Sequence, residues 1–216
     1  MIKNIIFDFD GVILDSVNIK TEAFYKLFEQ YGSKIANQVV DYHIINGGMS
    51  RFKKFEYYGK YLIKYNFNKN ELKSLSDKFD QLINEKISKA NFIVGAEEFL
   101  IRYNNIYNFF ISTGTPQENI NEIIKIRNLS YLFKKVYGTP KSKEKHIKEI
   151  LLNSNDSKCE YLFVGDSKND YDAAHKMGIL FIGVGNNDFF KKIKINVIND
   201  LTYLKEALNK LESVNE

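Results

Sequence analysis

Four times along the chain a short apolar run ends in small or acidic residues and gives way to a stretch with apolar residues at helical spacing. The runs are Ile5 to Phe9 before Asp10-Gly11, Phe109 to Ser112 before Thr113-Gly114, Tyr161 to Val164 before Gly165-Asp166, and Leu180 to Val184 before Gly185. Strands that are apolar on both faces need helices on both sides, and strands alternating with helices make a parallel sheet with crossover connections. Tyr131 to Val136 is expected to add a fifth strand. The chain is thus predicted to be an open α/β sheet, with its ligand site beyond the carboxyl ends of the strands.

The first crossover is unusually long. Residues 16 to 92 contain no strand-type run but carry helix-spaced apolar residues: Phe24, Leu27 and Phe28, then Phe52, Phe55, Tyr58, Tyr61 and Leu62, then Leu72, Leu75, Phe79, Leu82 and Ile83. That stripe predicts a small bundle of three or four helices inserted into the sheet domain, with turns at Gly47-Gly48 and Asn66 to Asn70. The expected division is 1–15 plus 93–216 for the α/β core and 16–92 for the helical insert. Ser213 to Glu216 is expected to be a frayed tail.

Composition removes several alternatives. A formal charge of 31 − 27 = +4 over 216 residues, without a basic, aromatic-interleaved stripe, argues against nucleic acid as a partner. One cysteine, Cys159, allows no internal disulfide, and no Cys/His cluster offers a thiolate zinc site, which predicts a cytoplasmic protein. The apolar run before Asp8 is too short for a signal peptide, and no later run reaches the roughly 18 residues of a membrane span. A monomer is expected.

The candidate chemistry sits at the strand ends. In D-F-D-G, alternation along an extended chain puts Asp8 and Asp10 on one side. Two carboxylates aimed into one space repel and need a cation or a shared proton, and a divalent metal is the natural third party. In G-D-S-K-N-D, Asp166 ends a second strand and Asp170 falls in the first turn of a helix, so both could face the same place; they could equally be helix-start acids. In F-F-I-S-T-G-T-P, Thr113 and the Gly114 amide suit an anion, and a turn capped by Thr115 with Pro116 at the first helical position explains the same letters. Lys143, in the first turn of a helix capped by Ser142, opposes the helix dipole unless an anion compensates it or water solvates it.

Taken together, these elements resemble the haloacid dehalogenase superfamily of phosphotransfer enzymes. Asp8 to Val12 resembles its first motif, Thr113 its second, Lys143 its third, and the run from Gly165 to Gly178 its fourth. Phe92 to Leu100 resembles the return from a helical cap to the core, with Val94 where a proline is often found, and the insert resembles the cap of the phosphoglycolate phosphatase and β-phosphoglucomutase branch.

The resemblance implies a Rossmann-like core with a helical cap and a Mg²⁺-dependent phosphatase of small phosphorylated metabolites. Asp8 would be the nucleophile and Asp10 the acid and base; Asp8, the Asp10 backbone carbonyl, Asp166 and Asp170 would hold Mg²⁺; Thr113, Gly114 and Lys143 would bind the phosphoryl group. Gly48 and Arg51, in G-M-S-R, would lie over the site, where Arg51 could bind a second anionic group on the substrate or simply be a surface arginine. Lys20 stands where mutases of this branch carry histidine, which favours a phosphatase over a β-phosphoglucomutase-like phosphotransferase. Asp10 argues against dehalogenation, and a non-catalytic metal- or phosphate-binding regulator is the alternative from another class. His43, His146 and His175 are expected to pack or be exposed rather than to catalyse.

Overall fold

The computed structural model describes residues 1–213. Six parallel strands, β1 (Asn4–Phe7), β2 (Asn108–Pro116), β3 (Lys135–Thr139), β4 (Tyr161–Gly165), β5 (Leu180–Val184) and β6 (Val197–Ile198), form one sheet in the order β3-β2-β1-β4-β5-β6. The expected α/β class is what the chain adopts. The chain steps outward from β1 to β3, then crosses back to lay β4 on the other side of β1. That reversal opens a crevice beyond the carboxyl ends of β1 and β4.

Side chains alternate across the sheet as the apolar runs require. Ile5, Phe7, Leu162 and Val164 enter one buried layer with Phe99 and Leu100 of α5 (Ala96–Tyr103), Ile120 and Ile124 of α6 (Gln117–Ile126), and Leu204 and Leu208 of α10 (Leu204–Ser213). Ile6, Tyr161 and Phe163 enter the other with Ile147 and Ile150 of α7 (Lys143–Leu152) and Ala173 and Ala174 of α8 (Lys168–Met177). A short helix α9 (Asp188–Ile193) joins β5 to β6.

Between β1 and β2 run α1 (Val17–Phe28), α2 (Ser33–Ile45), α3 (Arg51–Tyr57) and α4 (Lys69–Ser88), α3 widening into a π-type turn over Tyr58–Ile63. Phe24 packs its ring 4.5 Å from that of Phe79 and 5.9 Å from those of Phe55 and Tyr58, so the aromatic stripe is the interior of these helices. The Asn68 side chain caps α4, and Glu71 closes the capping box. The chain leaves and re-enters the sheet half at one place: Asp15 N–H donates to Asn91 O at 2.9 Å and Ile93 N–H to Ile13 O at 2.9 Å. Arg127 braces the return, its Nη1 donating to Ser88 O at 3.1 Å and Ala90 O at 2.6 Å.

Two expectations need adjustment, and one strand was not expected. The run Tyr131 to Val136 is not one strand: Ser130–Leu132 is a 3₁₀ turn that drops Leu132 and Phe133 into the core, and β3 starts only at Lys135. An apolar run alone does not separate a buried turn from a buried strand. Strand β6, two residues long, has no sequence signal. Ser213 closes α10 rather than fraying, while residues 214–216 of the expected tail lie outside the described residues. Among the described residues no helix is long and apolar enough to cross a membrane.

Candidate active site

The crevice at the reversal point is built from strand ends. Asp8 follows β1 directly and its amide still joins the sheet, donating to Val164 O at 2.9 Å. Phe9 turns into the core and Asp10 returns to the cavity side, so Asp8 and Asp10 both line one cavity of about 770 Å³. Asp166 follows β4, and α8 places Asp170 one turn on. Carboxylate oxygens of Asp8, Asp166 and Asp170 all lie within 4.8 Å of one another.

The three carboxylates are held differently. Lys143 reaches between two of them, its Nζ at 3.0 Å from Asp8 Oδ1 and paired more closely with Asp170 Oδ1. Asp170 Oδ2 also accepts from Ser167 N–H at 3.1 Å and Ser167 Oγ at 2.6 Å, so it caps α8 as well. Asp166 has no donor to its carboxylate among the described residues; only its backbone oxygen is engaged, by Asn187 Nδ2 at 2.9 Å.

Electrostatics follow from that arrangement. Burial pushes the Asp8 carboxyl up to about 7 against the pull of Lys143, with Asp170 and Asp10 adding to the rise. Burial likewise raises Asp166 well above the usual carboxylate range, helped by Asp8 and Asp170. Burial disfavours the Lys143 ammonium, but Asp170 and Asp8 more than offset it and hold its pKa above the ordinary lysine value. One lysine therefore does not balance three carboxylates. An all-oxygen donor set with an unpartnered acid is what a hard divalent cation such as Mg²⁺ takes, so these residues fit that ion.

Asp10 belongs to a second cluster. Its Oδ1 accepts from Ser16 Oγ at 2.6 Å, and its Oδ2 accepts from Thr115 Oγ1 at 3.1 Å and pairs with Lys20 Nζ. Lys20 Nζ also donates to Thr115 Oγ1 at 2.8 Å. Burial alone would raise Asp10, but Lys20, Ser16 and Thr115 overcome it and keep the carboxyl below its usual value. Sequence reasoning missed Lys20 as a site residue, noting it only as a departure. The signal was the spacing Ser16 to Lys20, one helical turn, which puts both on the face of α1 toward Asp10.

Of the expected anion ligands, Gly114 lines the cavity beside Thr115, while Thr113 is buried behind them with its Oγ1 accepting the Thr115 amide at 3.2 Å. The loop between α2 and α3 closes over this wall. Gly48 has φ +69°, and a Cβ there would meet Lys143 Nζ and Ser167 Oγ at 3.0 Å. A Cβ on Gly114 would stand 2.5 Å from Gly48 O, so only two glycines allow this close an approach. Asn169 Nδ2 fixes the loop by donating to Gly47 O at 2.5 Å.

Arg51 lines the cavity as expected, but its Nη1 is engaged by Asp80 and lies 3.4 Å from Ser76 Oγ, with the guanidinium 4.6 Å above the Phe79 ring. His146 is structural: its ring joins Ser112 Oγ at 2.9 Å to Gly138 O at 3.1 Å. His43 is buried against Lys54, a lysine that no motif singles out.

The chain is similar to several known proteins. The family model for haloacid dehalogenase-like hydrolases matches residues 5–184. A phosphoglycolate phosphatase of Aliivibrio fischeri is 26% identical over 184 residues, covering 82% of this chain and 81% of that protein. Among solved structures, a β-phosphoglucomutase from Clostridium difficile superposes with a TM-score of 0.78 at 21% identity over 100% of both chains. A hydrolase from Pseudomonas syringae superposes with a TM-score of 0.79 at 18% identity, over 96% of this chain and 98% of that one. At these identities the solved structures establish the fold.

Proposed function

The chain belongs to the haloacid dehalogenase-like hydrolase family, and from that premise we propose that it is a Mg²⁺-dependent phosphatase of small phosphorylated metabolites, acting in the cytoplasm as a monomer. The observation that carries this reading is the convergence of Asp8, Asp166 and Asp170 with Lys143 at the sheet's reversal point, beneath a helical cover. In this reading residues 1–15 and 93–216 are the catalytic half and 16–92 the cap.

Asp8 would attack phosphorus through a carboxylate oxygen, forming an aspartyl phosphate as the bond from phosphorus to the alcohol oxygen breaks. Asp10, which Lys20 keeps ionised in the free site, would take up the proton of a monoanionic ester and pass it to that oxygen, then take one from the water that attacks the phosphoenzyme, releasing phosphate and restoring Asp8. The Lys20 pairing supports the base role, because it favours ionised Asp10. Mg²⁺ held by Asp8, Asp166, Asp170 and the Asp10 backbone carbonyl would supply the charge that lets an anionic nucleophile approach an anionic ester. Lys143, Thr113 and the Gly114 amide would stabilise the phosphoryl oxygens. Gly48 would close the site.

Phosphate release from a panel of phosphomonoesters at neutral pH, with Mg²⁺ and with EDTA, tests the proposal. Turnover of at least one ester at kcat/KM of roughly 10⁴ M⁻¹s⁻¹, abolished by EDTA and restored by Mg²⁺, is expected. No release by folded protein in Mg²⁺, or release indifferent to EDTA, overturns it.

A further inference from the structure

Among the described residues four Lys or Arg side chains are buried: Lys20, Arg51, Lys54 and Lys143. Three have carboxylates, in Asp10, Asp80, and Asp8 with Asp170. Lys54, 2% exposed, forms no ion pair among the described residues. Its Nζ meets His43 Nδ1 at 2.8 Å. An ammonium can only donate, so Nδ1 accepts and the imidazole proton sits on Nε2. That Nε2 is buried without a partner.

Both side chains line the same cavity as Asp8, Asp10 and Asp166. The helical wall thus holds a buried cation with spare N–H groups, its Nζ 5.5 Å from the centre of the Phe24 ring, and beside it an imidazole N–H that has no partner among the described residues. Such groups are paired in folded proteins, and a pair missing from the chain itself points to a ligand oxygen.

Resting on the phosphatase reading of this site, we propose that Lys54 and His43 form the receptor for a second anionic group, so that the substrate is a phosphomonoester whose alcohol part also bears a carboxylate or a further phosphate. Lys54 lies three residues after Arg51 on α3, on the same side of the helix, and Arg51 is already committed to Asp80. Burial, with Lys20 adding repulsion, lowers the Lys54 ammonium to about 7, against the attraction of Asp10, Asp166 and Asp8. Burial and Lys54 keep His43 neutral, down to about 2. An arriving anion supplies the countercharge that the cap withholds, whereas a neutral substrate leaves it missing. At about 770 Å³ the cavity has room for a metabolite that reaches from Asp8 to this pair.

Matched esters test the proposal in Mg²⁺: 3-phosphoglycerate against glycerol 1-phosphate for a carboxylate, and fructose 1,6-bisphosphate against fructose 1-phosphate for a phosphate. In the wild type the acidic member of at least one pair should lead by about tenfold or more in kcat/KM, mainly through KM, and the pair that shows it identifies the anion. Lys54→Gln, which keeps a donor for His43 but removes the charge, should bring that ratio to within about threefold of one, and Lys54→Arg should retain most of it. A purely structural role would slow both members alike and leave the ratio untouched, which overturns the inference. So does a wild type that hydrolyses both members of both pairs equally, a result that needs no variant and leaves the phosphatase standing. Failure to hydrolyse any ester removes the phosphatase reading and this inference with it.

Discussion

On the sheet side of the cavity, Lys143 is shared by Asp8 and Asp170, and acids outnumber the cation. On the helical side, Lys54 meets a neutral histidine and the face of the Phe24 ring, and among the described residues the cation lacks an acid. The first imbalance invites a metal ion and the second an anion, so the two walls are charged for opposite ends of one molecule. Their construction differs too. The acids stand at strand ends and a helix cap, positions fixed by backbone hydrogen bonds, whereas Lys54 and His43 stand on two different helices and meet only because those helices pack. The sheet wall is set to handle phosphorus chemistry, and the helical wall is free to vary with the substrate.

Substitutions that strike one wall at a time test that division. The largest effect is expected from Asp8→Asn, which should cut kcat by roughly 10⁴-fold or more for every ester tried, since it removes the proposed nucleophile. Loss confined to some esters would break the comparison. Lys20→Met strikes the contact between the walls: leaving Asp10 without its partner should cost about 3 kcal/mol of stability and roughly 10²-fold in kcat. Because Lys20 helps hold the Asp10 pKa down, the limb of the rate profile belonging to Asp10 should move to higher pH in the variant. Gly48→Ala should raise KM about tenfold with a smaller change in kcat, because a left-handed alanine costs roughly 1–2 kcal/mol and its methyl group presses on Lys143 and Ser167. Steady-state kinetics on one ester separates these outcomes.

The smallest effect concerns a group behind the sheet wall. Burial lowers His146 from 6.5 to about 4. Between those pH values the unfolded chain binds the proton that the folded chain refuses, so this contribution is complete above pH 6.5 and is lost as pH falls toward 4. Melting temperatures of the wild type and His146→Gln, compared at pH 7.5 and 4.5, should show a shallower acid decline in the variant. An equal decline would show that His146 does not titrate in the folded protein as its burial requires.

The sequence was legible where chemistry is tied to local structure. Asp8 and Asp10 could be paired because they alternate past an apolar run, whereas spacing left Asp166, Asp170 and Lys143 open between site residues and ordinary helix-start residues, and the family resemblance singled them out. The sheet was readable from its apolar runs, except where Leu132 and Phe133 bury themselves from a turn and where β6 is too short to leave a pattern. Lys54 and His43 carried no such mark: a lysine at the polar spacing of a helix reads as solvated until a neighbouring helix covers it. Arg51 was visible as a candidate, but its partner Asp80 lies far along the chain in α4, and no local signal pairs them.

The two hydrogen bonds that join residues 13–15 to 91–93 have a consequence for inheritance. Seen from the sheet, four helices leave and return through a gap no wider than a strand pairing, so the sheet half experiences the whole insert as a short loop. The entropy of closing a loop grows only with the logarithm of its length, so an insert of different size or sequence that ends in the same pairing would burden the sheet little more than this one. Specificity can then be exchanged as a cassette, and a chimera carrying another insert between these residues should keep its folded core and its acids while recognising a different alcohol.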